Sequence, residues 1–156
     1  MTIVISPAQI KIIYDHAEKI YPEECCGILL GTIDGFSKTA IAVIPTTNVW
    51  EKSASLDELE DPDQVTRTKT SRYTIDPQDI FRATKRGQDL HLKIIGFFHS
   101  HPDYSAIPSI CDRDLAWYVY SYPIVSVIQG KVNDFKSWVL DSQGIFQQEE
   151  ILQIEQ

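Results

Sequence analysis

Apolar and polar residues change period several times along this chain, and each change marks an element. Ile3 to Ile5 reads as a short edge strand. Ser6-Pro7 then joins an N-capping hydroxyl to a proline suited to the first helical position. Ile10, Ile13, Tyr14, Ala17 and Tyr21 recur at helical spacing, so that helix buries one face, and Pro22 ends it. Cys25 to Leu30 is a continuous apolar run stopped by Gly31, the pattern of a buried strand. Asp34-Gly35 signals a hairpin turn, with Thr39 to Ile44 as the answering strand. Further on, Arg72 to Ile75 predicts a short strand. Asp76-Pro77 repeats the cap-plus-proline start, with Ile80, Phe81 and Thr84 on one face and Gly87 near the end. Ile94 to Phe98 is a second buried run. Ser109 caps a helix predicted to reach about Tyr120, with Leu115, Tyr118, Val119 and Tyr122 facing the sheet. Ile124 to Ile128, ending at Gly130, pairs with Phe135 to Leu140, and Ile145 to Ile154 reads as a last strand or a helix. The sum is an α/β domain, a mixed central β-sheet flanked by helices.

The 156 residues are expected to form one domain with a sizeable core. No apolar run approaches membrane-spanning length, and the N-terminus lacks the basic, apolar pattern of a signal peptide. Three cysteines without a C-x-x-C pair argue against a disulfide framework and for a reducing cytoplasm. A formal charge of −8 makes nucleic acid a poor partner. That charge is concentrated. Between Glu51 and Gln64, Glu51, Asp57, Glu58, Glu60, Asp61 and Asp63 stand against Lys52 alone, and 51–70 reads as an acidic insertion loop.

Chemistry gathers after the second buried run. Side chains alternate on a strand, so His99 and His101 leave the same face at its end, where Pro102 removes a backbone donor. Asp112 falls in the first turn of the following helix, close enough to fold back on both imidazoles. Two imidazoles and a carboxylate make a three-ligand zinc site with its fourth position left for water, the catalytic rather than the structural pattern. A second reading uses the same carboxylate: Ser109-x-x-Asp112 is a capping box, with the acid returning a bond to the cap backbone. One oxygen could serve each purpose.

His99-Ser100-His101, seven residues, Ser109, two residues and Asp112 resemble the JAMM (MPN-plus) metalloprotease signature at every fixed position. Glu24-Cys25-Cys26-Gly27 is similar to the upstream Glu-x-Cys-Gly of that family. Gly96, Pro102, Pro108 and the run Tyr21 to Gly31 resemble its prokaryotic, stand-alone branch, and the likeness extends from about residue 7 to residue 140. The resemblance implies an MPN domain, with an architecture related to zinc nucleoside deaminases. It implies one Zn2+ per chain on His99, His101 and Asp112, lowering the pKa of its water to roughly 7. Glu24 would be the general base, returning the proton to the leaving amine. Ser109 would donate to the oxyanion. The implied reaction is hydrolysis of the isopeptide or peptide bond after the C-terminal tail of a ubiquitin-like or sulfur-carrier protein. The alternative is a non-catalytic MPN scaffold that binds a ubiquitin-like partner. A deaminase is excluded, because its His-x-Glu and Pro-Cys-x-x-Cys pieces are absent. Oligomeric state, homodimer included, stays open.

The other chemistry-bearing residues take plainer readings. Glu23 is expected to face solvent, opposite Glu24. Cys26 is a small buried residue, and Cys25 and Cys111 are not needed as ligands. His16 and His91 are expected on the surface. Trp50, Trp117 and Trp138 are expected to pack in the core or at its rim.

Overall fold

The computed structural model describes residues 1–51 and 68–155, so most of the acidic stretch lies outside the described residues. Along them run β1 (Thr2–Val4), α1 (Pro7–Ile20), β2 (Cys26–Asp34), β3 (Ser37–Thr46), α2 (Pro77–Asp89), β4 (Lys93–Pro102), α3 (Ile110–Leu115), β5 (Ser121–Ile128), β6 (Lys131–Leu140) and β7 (Phe146–Leu152). The strands form one mixed sheet in the order β1-β3-β2-β4-β5-β6-β7 that closes on itself through β1 and β7. β4 and β5 pair in parallel, as β1 does with both its neighbours, and the remaining pairs are antiparallel. No helix among the described residues is long and apolar enough to cross a membrane.

β2 is apolar without alternation because it is buried on both faces. Cys25, just ahead of it, and Leu29 join Ile10, Ile13 and Ala17 of α1, together with Ile95, Phe98 and Val125. Cys26, Ile28 and Leu30 pack toward Ala83 of α2 and Ile75. Side chains of successive residues point opposite ways, so each layer takes every second residue. Gly27 faces Phe98 across the β2–β4 pair, and a Cβ there would lie inside the Phe98 ring and against the Ile44 carbonyl. Both long helices start at the caps expected of them. Ser6 forms a capping box with Gln9, and the Asp76 side chain accepts from the Gln78 amide.

Three expectations change and one open reading is decided. The strand at Ile3 to Ile5 is not an edge: as β1 it pairs with β3 on one side and β7 on the other. Arg72 to Ile75 is not a strand but a segment held by an isolated bridge between Asn48 and Ile75. The ambiguous C-terminal stretch is a strand, because β7 finds partners on both sides, β6 and β1. The helix after Ser109 ends at Leu115 rather than near Tyr120. The Tyr122 hydroxyl accepts the Trp117 amide at 2.7 Å, and the Arg113 carbonyl is taken by Ala116, so no bond remains to extend the helix. Leu115, Tyr118 and Val119 are therefore 68%, 67% and 46% exposed instead of facing the sheet. Tyr122 is buried, but on β5.

Candidate metal centre

Three pieces of chain meet at one end of the β2–β4 pair. Cys26 is level with His99 in the register, which sets Glu24 beside the end of β4. Ser100, between the two histidines, locks this alignment: its hydroxyl accepts the Cys25 amide at 2.7 Å, and its own amide donates to the Cys25 carbonyl at 3.1 Å. α3 supplies the third piece, since Asp112 in its first turn points back at β4.

The two imidazoles converge as alternation requires. Nε2 of His99 and Nε2 of His101 lie 3.1 Å apart. Asp112 Oδ1 is 3.3 Å from the first and Oδ2 is 3.2 Å from the second. The buried Glu24 completes the group: an oxygen of its carboxylate and a ring nitrogen of each histidine all lie within 4.8 Å of one another. Glu23, its neighbour, is exposed, as expected, although it lies in a bend ahead of β2 rather than on the strand.

The capping-box reading of Asp112 holds, and it leaves an oxygen free to face the imidazoles. Ser109 and Asp112 form the capping box, with the Ser109 amide donating to Oδ2 at 2.7 Å and the Ser109 hydroxyl accepting the Asp112 amide at 3.1 Å. Oδ1 stays directed at His99. As the Ser109 oxygen acts as acceptor in the cap, its hydrogen is left to point elsewhere.

The donor set fits a zinc ion. His101 Nδ1 lies 2.7 Å from the Ser105 carbonyl, which only accepts, so Nδ1 carries the hydrogen and Nε2 presents its lone pair. His99 Nδ1 has no hydrogen-bond partner among the described residues; its ring is oriented by stacking on Tyr73, with centroids 4.6 Å apart and planes at 23°. Two nitrogens and a carboxylate facing one small volume are the hard and borderline donors zinc takes.

Electrostatics separates the two carboxylates. Burial pushes Glu24 up to about 8; His101 opposes this and Asp112 adds to it. Asp112 feels a comparable burial, yet the two imidazoles and the Ser109 amide hold it well below the usual carboxylate range. Burial lowers His99 against the pull of Asp112. Burial also lowers His101, but its bonds to Asp112 and to the Ser105 carbonyl outweigh this and leave it raised. One carboxylate is thus committed as an anion and the other is able to carry a proton. Glu24, Ser71, Arg72, Tyr73, Cys111, Asp112 and Leu115 line the cleft that opens on this group.

A family model described as prokaryotic homologs of the JAB domain matches residues 6–141. The chain belongs to this family. Two desampylases are similar to it. That of Haloferax volcanii is 32% identical over 106 residues, 67% of this chain and 63% of its own length. That of Pyrococcus furiosus is 26% identical over 72 residues, 46% of this chain and 49% of its own length. The matched stretch thus spans less than two thirds of either relative. Among solved structures, the solution structure of a Desulfitobacterium hafniense protein superposes with a TM-score of 0.78 at 27% identity, covering 99% of this chain and 94% of that one. A Salinibacter ruber protein gives 0.68 at 30%, covering 99% and 92%. A JAB1/MPN domain protein from Archaeoglobus fulgidus, at 19% identity and a TM-score of 0.52 over 98% and 100%, shares the fold. The α/β architecture expected from the sequence is therefore the JAB/MPN fold.

Within this JAB domain some residues depart from expectation. His16 is not a surface residue. It is half-buried, its Nε2 lies 3.2 Å from both the Cys26 and Thr46 carbonyls, and its ring meets Phe98 edge-on. His91 is exposed, as expected. Trp138 sits at the rim and donates to the Ala106 carbonyl at 2.9 Å, and Trp50 is half-buried. Trp117, at 68% exposure, packs neither in the core nor at its rim. Asn48, Tyr73, Ser100 and Ser105 support the site and were not singled out. Asn48, Tyr73 and Ser100 have partners remote in sequence that nothing in their immediate sequence announces, whereas Ser105 is four residues from its partner His101.

Proposed function

We propose that this JAB-family protein is a zinc-dependent peptidase, cleaving the bond after the C-terminal tail of a ubiquitin-like or sulfur-carrier protein. The observation that carries the reading is the convergence of both imidazole Nε2 atoms with both Asp112 oxygens, beside a buried Glu24. Held by His99, His101 and Asp112, zinc would supply Lewis acidity and lower the pKa of a water to roughly 7. Glu24 accepts the proton of the attacking water at its carboxylate and delivers it to the departing amine. Ser109 turns its hydroxyl hydrogen toward the developing oxyanion while its oxygen keeps the Asp112 cap. The likeness to two desampylases supports the choice of a small modifier protein as substrate. The scaffold alternative has no observation in its favour, since every position of the signature carries its expected residue. The cysteines, none of them in a disulfide, suit a reducing cytoplasm.

The test is cleavage of a C-terminally extended ubiquitin-fold sulfur carrier by zinc-loaded protein, in parallel with Glu24→Gln. Release of the extension after the Gly-Gly tail, lost in the variant while zinc is retained, is the expected result. Zinc binding without cleavage of any ubiquitin-fold fusion would overturn the substrate assignment.

A further inference from the structure

The Glu24 carboxylate is aimed by its backbone, and that backbone is held by a side chain remote in sequence. Asn48 follows β3 and is 6% exposed. Its amide nitrogen donates to the Glu24 carbonyl at 3.1 Å and to the Arg72 carbonyl at 2.9 Å. Its Oδ1 accepts the amides of Trp50 and Thr74, each at 3.1 Å. A primary amide has two hydrogens and two lone pairs to offer, so all four are used. The orientation is unique: turned over, it would set its hydrogens against two N–H groups and its oxygen against two carbonyls.

Each arm of this hub ends at the metal group. On one side is the Glu24 peptide, whose amide donates to the Lys69 carbonyl at 2.7 Å. On the other, the bonds to Arg72 and Thr74 bracket Tyr73, the residue stacked on His99. Backbone contacts duplicate the second arm, since the Val49 amide donates to the Thr74 carbonyl at 3.0 Å. The bond to the Glu24 carbonyl is made by the side chain alone.

We propose that Asn48 is a positioning residue that sets the reach of Glu24 toward the two histidines. The inference rests on the reading of Glu24 as the base, and Asn48 acts through it.

The experiment compares full-length wild type, Asn48→Ala, Glu24→Gln and the double variant, with Asn48→Ser as a milder change should alanine prevent folding. The first measurement uses no substrate. Amide exchange at Glu24 is expected to quicken at least tenfold in Asn48→Ala while β4 amides keep their protection. Next, zinc content and steady-state cleavage of the fusion protein are measured. Zinc is expected to be retained, KM unchanged, and kcat to fall about 100-fold, the loss typical of a catalytic group misplaced by about 1 Å. In the double variant Asn48→Ala should add nothing to the loss from Glu24→Gln, whereas a merely structural role would add its own decrement. Unchanged kcat in Asn48→Ala, additive losses in the double variant, or unaltered exchange at Glu24 would each overturn the proposal. If wild type cleaves no fusion protein, the substrate assignment fails while exchange still decides whether Asn48 holds Glu24.

Discussion

Asp112 carries two loads in this molecule, and substitutions separate them. Asp112→Asn keeps an oxygen for the Ser109 amide but loses the charge facing His99 and His101. Zinc affinity, measured by chelator competition, should fall at least tenfold while the unfolding midpoint barely moves. Asp112→Ala also removes one half of the capping box, and should cost about 1 kcal/mol more in urea unfolding. The cysteines divide in a similar way. Burial pushes the Cys25 thiol up to about 12 and the Cys26 thiol up to about 11, so almost no thiolate forms below pH 9. Thiol-reactive reagent at pH 8 should therefore label Cys111, at the cleft, well before the other two, as read by peptide mass.

Among elements, the β2–β4 pair sets the site, and its tightest point is Gly27 beneath Phe98. Gly27→Ala has no room on either side: the Phe98 ring and the Ile44 carbonyl both lie within clashing distance. It should lower stability by about 3 kcal/mol, measured by urea unfolding, and reduce zinc binding, because β4 carries both histidines. α3 shows how far local pattern reaches. Ser109 as cap was legible from its type and its spacing to Asp112. The helix length was not, because Tyr122, on the next strand, takes the amide that would have continued it. His16 was misread for a comparable reason. It lies outside the motif, which suggested surface, yet the carbonyls it meets belong to β2 and β3.

Across the whole molecule, a second buried polar network joins strands far apart in the chain. Lys38 donates to the Ser121 hydroxyl at 2.9 Å, and Ser121 and Ser137 donate to the two Glu149 oxygens at 3.0 and 2.7 Å. It links β3, β5, β6 and β7. Burial lowers Lys38 and raises Glu149, while each charge pulls the other back. Removing Lys38 takes away the charge that offsets buried Glu149 and a hydrogen bond to Ser121, so Lys38→Met should cost roughly 1–3 kcal/mol at pH 7. The sign of the pH dependence follows from Glu149. With its folded pKa above the ordinary 4.5, the folded chain holds a proton that the unfolded chain has released, so stability falls as pH rises through that window. The deficit of Lys38→Met should thus shrink toward pH 4, where Glu149 is neutral. Urea midpoints at both pH values check this.

The sequence by itself determined what depends on neighbours along the chain. Strand alternation put His99 and His101 on one face, and the Ser109 cap put Asp112 in the first turn of the helix that follows. The continuous apolar run beginning at Cys25 announced a strand buried on both sides. Only the tertiary structure decided which long-range partners complete the site. Asn48 reaches Glu24 and Arg72 across 24 residues in each direction, and Tyr73 covers His99 from another part of the chain. Such contacts leave no local period or motif. The hairpin register that sets Cys26 opposite Thr46 brings Asn48 beside Glu24, but which side-chain bonds form there, and that Tyr73 joins them, is decided only by the folded packing.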